Sequence, residues 1–177
     1  MSDESLTSRP SSSGRRVLVL GVGNLLMRDD GIAVHVAQLL SKWPLPAGVE
    51  VAEVGTAPID ALLACGTACR LIIIDAVTAH NQPGTIYRAR FEGPRVNDLI
   101  DGTSAESCSM LSFHQDGVRT ALAAAQKLGR APDSITIIGI EPKDVGYGLD
   151  LSDPVRKKIP KILDVVVEEI RNVVHAG

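Results

Sequence analysis

Residues 17–40 read VLVLGVGNLLMRDDGIAVHVAQLL, and this stretch decides the fold. An apolar run ends in Gly-Val-Gly, a polar turn follows, and the next segment has the apolar spacing of a helix. This pattern predicts the strand, loop and helix of a βαβ unit. Because an α/β fold usually binds its ligand at the carboxyl end of its first strand, we expect a site at this turn. Asn24, Asp29 and Asp30 lie in it, so an anion is an unsuitable ligand.

A dinucleotide-binding fingerprint is the first alternative for this turn. Gly21 and Gly23 follow the strand, and Glu53 near the end of the second predicted strand has the position of a ribose-binding acid. Leu26 stands where the third glycine belongs, and acidic residues at the helix start repel a pyrophosphate. Nucleotide binding is therefore the weaker interpretation.

The chain has 177 residues, of which 45% are hydrophobic and 22% charged, and this suits one globular domain with a sizeable core. We expect a disordered, Ser-rich leader over residues 1–16, without the apolar segment of a secretory signal, and a single α/β domain over residues 17–177. The net charge of -3 and the lack of a basic stretch predict no nucleic-acid or membrane partner. No apolar run reaches the roughly 18 residues of a membrane helix.

The three cysteines are Cys65, Cys69 and Cys108, an odd set without a zinc-type pairing. Such a set favours a reducing cytoplasm over a disulfide scaffold, so we expect a cytoplasmic protein. Cys65 and Cys69 are spaced to share a helix face and hold a metal, but a soft metal site usually has more than two ligands. We interpret both as small packing residues at a helix end.

The remaining elements alternate between strand and helix. We predict strands at 17–22, 49–54, 71–75, 85–91 and 134–140, and helices at 31–42, 57–64 and 117–128. A last helix begins near Ser152 and is kinked or restarted at Pro160. The fourth strand follows Asp75 too closely for a crossover helix, so it runs antiparallel and the sheet is mixed. We expect an irregular segment over 92–113, either a lid or docking loop or simply a solvated one.

Apolar stripes define the buried faces of the first and last helices. The predicted stripes are Ile32, Val36, Leu39 and Leu40 in the first, and Ile159, Ile162, Leu163, Val166, Val167, Ile170 and Val174 in the last.

Two carboxylates and one imidazole are candidate metal ligands. Asp30 and Asp75 follow the first and third strands, which flank the switch point of the sheet if the second strand lies outside the first. His114 completes an oxygen, oxygen, nitrogen set that suits a borderline divalent metal with an open position, as metal-assisted hydrolysis requires. Each has a structural alternative: helix capping by one of Asp29 and Asp30, a turn cap at Asp75, and a solvated loop residue at His114.

The chain resembles the hydrogenase maturation endopeptidases, which trim the C-terminal extension of the large subunit of nickel-iron hydrogenases. Four motifs carry the resemblance, in order and between about Val17 and Ile170. They are GVGNLLMRDDG at 21–31, IDA at 74–76, LSFHQ at 111–115, and GIEP at 139–142 with Gly148 and the Leu-Ser pair at 151–152.

The resemblance implies a three-layer α/β/α fold of the phosphorylase/hydrolase-like type, with a five-stranded mixed sheet and one antiparallel strand. It also implies that Asp30, Asp75 and His114 are the catalytic and metal-contacting residues. Nickel would arrive with the precursor large subunit, and no tightly bound organic cofactor is expected. Asn24 either binds substrate through its amide or stabilises its own turn.

Two mechanisms are compatible with these residues. In the first, the three side chains hold nickel and place an activated water against the scissile carbonyl. In the second they only recognise nickel, and a water with a nearby carboxylate performs the cut. The predicted function is an endopeptidase acting on the precursor large subunit. The alternatives are a nickel-sensing binding module or chaperone without proteolysis, and a nucleotide-binding enzyme.

Overall fold

The structure, a computed structural model, describes residues 16–55, 60–62, 69–101 and 115–175. Five strands are present: Arg16–Val22 (β1), Val49–Gly55 (β2), Cys69–Ala76 (β3), Ile86–Glu92 (β4) and Ser134–Ile140 (β5). A 3-10 helix at Arg28–Gly31 leads into the helices, which are Ile32–Leu40 (α1), Pro94–Asp101 (α2), Gln115–Lys127 (α3), Asp153–Arg156 (α4) and Ile159–His175 (α5). Within these ranges, no helix has both the length and the apolar content that a membrane crossing requires.

The five strands form one mixed sheet in the order β2-β1-β3-β5-β4. All neighbours are parallel except β4, which pairs antiparallel with β5. This confirms the predicted antiparallel strand and the position of β2 outside β1. Every residue of β3 is buried, as its continuous apolar run indicates for a strand covered on both faces.

Helices cover both faces of the sheet, so the fold has the predicted three layers. Because side chains alternate along a strand, Ile72 and Ile74 of β3 face α1 and α5, whereas Leu71 and Ile73 face α2 and α3. Leu62, in the short helical piece 60–62, packs on the second of these faces. This piece is the described part of the helix predicted at 57–64.

Three local predictions are wrong. The segment 92–113 is not irregular over Pro94–Asp101, because Val96, Leu99 and Ile100 have helical spacing and are buried as one face of α2. Leu39 in α1 is 36% exposed, whereas Leu40, the next residue of the predicted stripe, is fully buried. In α5, Val173 is buried while Val174 is 37% exposed.

The start of the last helix is a restart rather than a kink. Helix α4 ends at Arg156, and α5 begins at Ile159 with Pro160 in its first turn. Proline is tolerated there because the first helical N–H groups have no intrahelical acceptor.

The cysteine prediction is also wrong in one respect. Cys69 is buried at the start of β3 and is disulfide-bonded. An odd number of cysteines does not exclude a disulfide, because two of three can pair and leave one. Cys65 and Cys108, like residues 1–15 of the predicted leader, lie outside the described residues, and Arg16 already belongs to β1.

Candidate functional site

The glycines of the first turn allow close packing between the turn and the helix that follows. A Cβ at Gly21 would lie 2.5 Å from the backbone oxygen of Ala33, and one at Gly23 would lie 2.1 Å from the backbone oxygen of Asp30. Gly23 also has a φ of 156°. The two glycines allow the 3-10 helix and α1 to pack against the end of β1. This packing role explains both glycines without a bound phosphate.

The backbone N–H groups of this turn are used inside the protein. A nucleotide site needs such groups to point at the phosphates. Here they are donated to acceptors within the chain, and the donors are Gly23, Asn24, Leu26, Met27, Arg28, Asp29 and Asp30. These seven N–H groups are therefore not available to form a pyrophosphate cradle, in agreement with the weak fingerprint.

Asp29 joins the first turn to the segment after β5. Its carboxylate is fully buried, and Oδ2 accepts hydrogen bonds from the N–H groups of Lys143 at 2.9 Å and Asp144 at 3.0 Å. Ser152 donates its N–H to Oδ1 and its hydroxyl to Oδ2, both at 2.7 Å. Neither the 3-10 helix nor α1 has a side-chain cap, so the predicted helix-capping role is wrong. Asp29 instead fixes the backbone that carries Asp30.

Asp30 lies at the carboxyl end of β1 and is 6% exposed. Its Oδ2 accepts a hydrogen bond of 2.9 Å from the N–H of Asn24, which closes the turn around the carboxylate. The 3-10 helix that holds Asp30 contacts β3. The turn thus lies beside the strand that ends with the second predicted carboxylate.

Asp75 lies near the end of β3, is 1% exposed, and pairs in register with Gly139 of β5. It lines a cavity of about 30 Å³ between the sheet and helices α2 and α3. The rest of the lining is apolar except for Arg119, a half-buried residue of α3. The cavity therefore places one carboxylate and one guanidinium within apolar walls, where their charges act strongly.

A fourth buried carboxylate, that of Glu141, fixes the loop that follows Asp75. It accepts hydrogen bonds from the Tyr87 hydroxyl and from the N–H groups of Ala79 at 2.9 Å and His80 at 3.1 Å. Burial alone would raise the pKa of Glu141, but the hydrogen bonds from Tyr87 and the loop backbone together hold this pKa below its ordinary value. Burial and the bond to Glu141 raise the pKa of Tyr87.

Asn24 stabilises its own turn. Its Oδ1 accepts a hydrogen bond of 3.0 Å from the N–H of Leu26, which is the structural alternative considered for this residue. Asn24 also lines an open cavity of about 300 Å³ between the first turn and the end of β2, with Glu53 and Gly55 on the far side. A role in substrate binding at this cavity stays a prediction.

The predicted triad is described only in part. Asp75 lies near the end of β3, and Asp30 lies in the 3-10 helix that follows the neighbouring strand β1. His114 lies outside the described residues. Among the described residues, no three His, Cys, Asp or Glu side chains form a group able to hold a metal. The triad itself therefore stays a prediction.

Three residues near the site were not identified from the sequence. Ser152 and Glu141 lie in motifs of the family resemblance, but their partners are distant in the chain. Arg119 had a local signal, since it lies one turn into the helix after the motif that contains His114. Only the fold brings this cation into the cavity that Asp75 lines, because the two residues lie far apart in the chain.

Residues 34–169 match the family model of the hydrogenase maturation proteases. A relative from Escherichia coli, the hydrogenase 2 maturation protease, is 32% identical over 88% of this chain and 91% of its own length. The hydrogenase expression/formation protein HupD of Bradyrhizobium diazoefficiens is 33% identical over 89% of this chain and 79% of the relative.

Solved structures show the same similarity. The hydrogenase maturating endopeptidase HybD from Escherichia coli superposes with a TM-score of 0.74 at 32% identity, covering 89% of this chain and 93% of that chain. The NiFe hydrogenase maturation protease HybD from Thermococcus kodakarensis gives a TM-score of 0.65 at 29% identity, with coverage of 88% and 99%. Both agree with the three-layer fold described above.

Proposed function

The chain belongs to the hydrogenase maturation protease family, and from this premise we propose that it removes the C-terminal extension from the nickel-loaded precursor of a nickel-iron hydrogenase large subunit. It is accordingly a hydrolase that acts on peptide bonds. The family match extends over most of the domain, from α1 to α5.

One observation from the structure supports the proposal most directly. Asp75 lies at the carboxyl end of β3, and Asp30 lies in the 3-10 helix that follows β1 and contacts β3. Both carboxylates are nearly buried, and this is the edge of the sheet where α/β folds bind ligands. The adjoining backbones are each held by a further carboxylate, Asp29 and Glu141. Such support preorganises a site for a charged group.

The proposed chemistry is hydrolysis of one amide bond. Asp30, Asp75 and His114 contact the nickel that the precursor carries, since carboxylate oxygens and an imidazole suit a borderline divalent ion. A water held there adds its oxygen to the scissile carbonyl carbon and gives up a proton, the C–N bond breaks, and the leaving nitrogen takes up that proton. Because the metal belongs to the substrate, the same contacts restrict cleavage to a precursor that has been loaded.

The partner in this proposal is the precursor large subunit, and the location is the cytoplasm. The net charge of -3 supports a protein substrate rather than a nucleic acid. No tightly bound organic cofactor is part of the reaction, because hydrolysis needs only water as co-substrate.

Cleavage of the precursor tests the proposal. Purified wild-type protein is incubated with the nickel-loaded large-subunit precursor of its source organism, and the precursor is followed by intact-mass spectrometry. The proposal expects a precursor shortened by one C-terminal peptide, and no shortening with Asp75→Asn. A stable complex in which the precursor keeps its full mass would identify a binding module or chaperone instead.

A further inference from the structure

Four large apolar side chains are exposed on two loops beside the candidate site. Leu26, in the first turn, is 62% exposed, and Val145, Tyr147 and Leu149, after β5, are 38%, 89% and 68% exposed. We call these four residues the apolar platform. Large apolar residues exposed together usually mark an interaction site, because removing apolar area from water on binding is favourable.

The two loops are held together by backbone hydrogen bonds. The N–H of Gly148 donates to the oxygen of Leu26 at 3.0 Å, and the N–H of Arg28 donates to the oxygen of Gly148 at 2.8 Å. Leu26 therefore lies beside the residue that Tyr147 and Leu149 flank. The platform is ordered before any partner arrives, so little conformational entropy is lost when it binds.

The Arg28 side chain reinforces this arrangement. Its Nε donates to the backbone oxygen of Tyr147 at 3.3 Å and lies 3.4 Å from a carboxylate oxygen of Asp144. A Cβ at Gly148 would lie 3.0 Å from the same Nε, so a glycine at this position leaves room for the guanidinium. The bonds to Asp29 hold the backbone of residues 143 and 144 in addition.

The other exposed apolar side chains of the described ranges lie elsewhere. They occur near the ends of α1, α3 and α5, at the opposite edge of the sheet, and are Leu39, Trp43, Leu128 and Val174. Among the residues that the structure describes, the platform is thus the group of exposed large apolar side chains on the same edge as Asp30, which follows Leu26 by four residues. A protein substrate whose scissile peptide bond reaches Asp30 therefore lies next to the apolar platform.

We propose that the apolar platform is the surface on which the precursor large subunit docks through an apolar part of its own surface. This inference rests on the proposed function, since it names where that substrate binds. Four side chains present on the order of a few hundred Å² of apolar surface, as one aromatic residue buries about 150–250 Å². A stable dimer typically buries about 800 Å² on each partner, so a transient protein substrate fits the platform better than a permanent second copy.

The test uses the full chain with Tyr147→Ala and Leu149→Ala combined. The matched control is Leu128→Ala, which removes a leucine of similar exposure (63%) at the opposite edge of the sheet. Binding to immobilised nickel-loaded precursor is measured by biolayer interferometry, and cleavage kinetics are measured in parallel. We expect the double variant to raise Kd and KM about tenfold with kcat unchanged, as loss of an aromatic anchor does, and the control to match wild type.

The outcomes separate the docking surface from the proposed function. Unchanged Kd and KM in the double variant would overturn the platform as a docking surface. The same holds if the wild type self-associates, the double variant does not, and both bind the precursor equally well, because the platform would then bind a second copy. If the wild type binds the precursor without cutting it, the proposed function is wrong. The Kd values of wild type and double variant still show whether the precursor docks on the platform. Because the substituted side chains are exposed, thermal unfolding of the variants should match wild type.

Discussion

The hydroxyl of Ser152 donates a hydrogen bond of 2.7 Å to the carboxylate of Asp29, a residue 123 positions earlier in the chain. The N–H of Ser152 donates to the other oxygen of the same carboxylate. Together with the bonds from Lys143 and Asp144, this contact joins the loop after β1 to the loop after β5. The two loops then carry Asp30 and the apolar platform as one unit.

Removal of the Asp29 carboxylate should destabilise the whole domain. In Asp29→Ala three backbone N–H groups lose the buried carboxylate that accepts their hydrogen bonds. We expect the free energy of unfolding to fall by about 3 kcal/mol. Ser152→Ala removes only the hydroxyl contact and should lower the free energy of unfolding by about 1 kcal/mol. Urea denaturation measures both values. Equal stability of wild type and Asp29→Ala would show that the contact is unimportant.

Ser41→Ala is the matched control for Ser152→Ala. Ser41 donates its hydroxyl to a backbone oxygen at 3.0 Å, but at an exposed position. We expect its effect to stay within about 0.5 kcal/mol.

Gly23→Ala should prevent the first turn from packing against the start of α1. The new Cβ would lie 2.1 Å from the backbone oxygen of Asp30, and backbone atoms have no alternative rotamer. We expect a loss of about 3 kcal/mol or more, or no folded protein. Gly129→Ala is the control, because its φ of 66° is also positive while its Cβ meets nothing within 4 Å. It should lose only about 1 kcal/mol, and a similar loss in both variants would contradict the packing role of Gly23.

The stability of the protein should depend on Glu141 in acid. A carboxylate whose folded pKa lies below its ordinary value of 4.5 stabilises the fold above that pH, and the contribution disappears as the pH falls through the folded pKa. Wild type should therefore lose more unfolding free energy than Glu141→Gln between about pH 7 and about pH 3. Chemical denaturation at both pH values measures the difference.

Tyr87→Phe provides a second variant for this prediction. It removes one hydrogen bond to Glu141, so the folded pKa of Glu141 moves up towards its ordinary value. The loss in acid should then be smaller than in wild type. An identical loss in wild type and both variants would mean that Glu141 does not carry this pH dependence.

Much of the fold was predictable because its signals are local. The apolar run of β3 indicates a strand buried on both faces, and its short connection to β4 predicts the antiparallel pairing. Helix α2 differs from the predicted irregular segment, although Pro94 at its start and the apolar spacing of Val96, Leu99 and Ile100 are helical signals. The other residues of this segment are mostly polar or charged, which is typical of a solvated loop.

The site was less predictable, because its decisive contacts join distant parts of the chain. An acid before a helix normally caps that helix, and this local rule assigned the wrong partner to Asp29. The actual partners lie after β5, and only the folded sheet brings them near. The same applies to Glu141. Its backbone donors, Ala79 and His80, lie in the loop after β3, about 60 residues before Glu141 in the chain.

Neutral variants of the two site carboxylates should lose activity and keep the fold. Asp30→Asn can still accept the hydrogen bond from the N–H of Asn24, so its turn should stay closed. We expect cleavage of the precursor to fall by about a hundredfold or more in Asp30→Asn, Asp75→Asn and His114→Ala. Asp133→Asn, an exposed position at the opposite edge of the sheet, should retain full activity. Wild-type rates in the three site variants would remove them from the mechanism.

Dependence of cleavage on nickel in the substrate tests the central claim most directly. The precursor large subunit is prepared with and without nickel, incubated with the wild-type protein, and analysed by intact-mass spectrometry. We predict that the nickel-loaded precursor loses one C-terminal peptide while the nickel-free precursor keeps its full mass. A nickel-loaded precursor that stays full length, or equal shortening of both forms, would contradict the account.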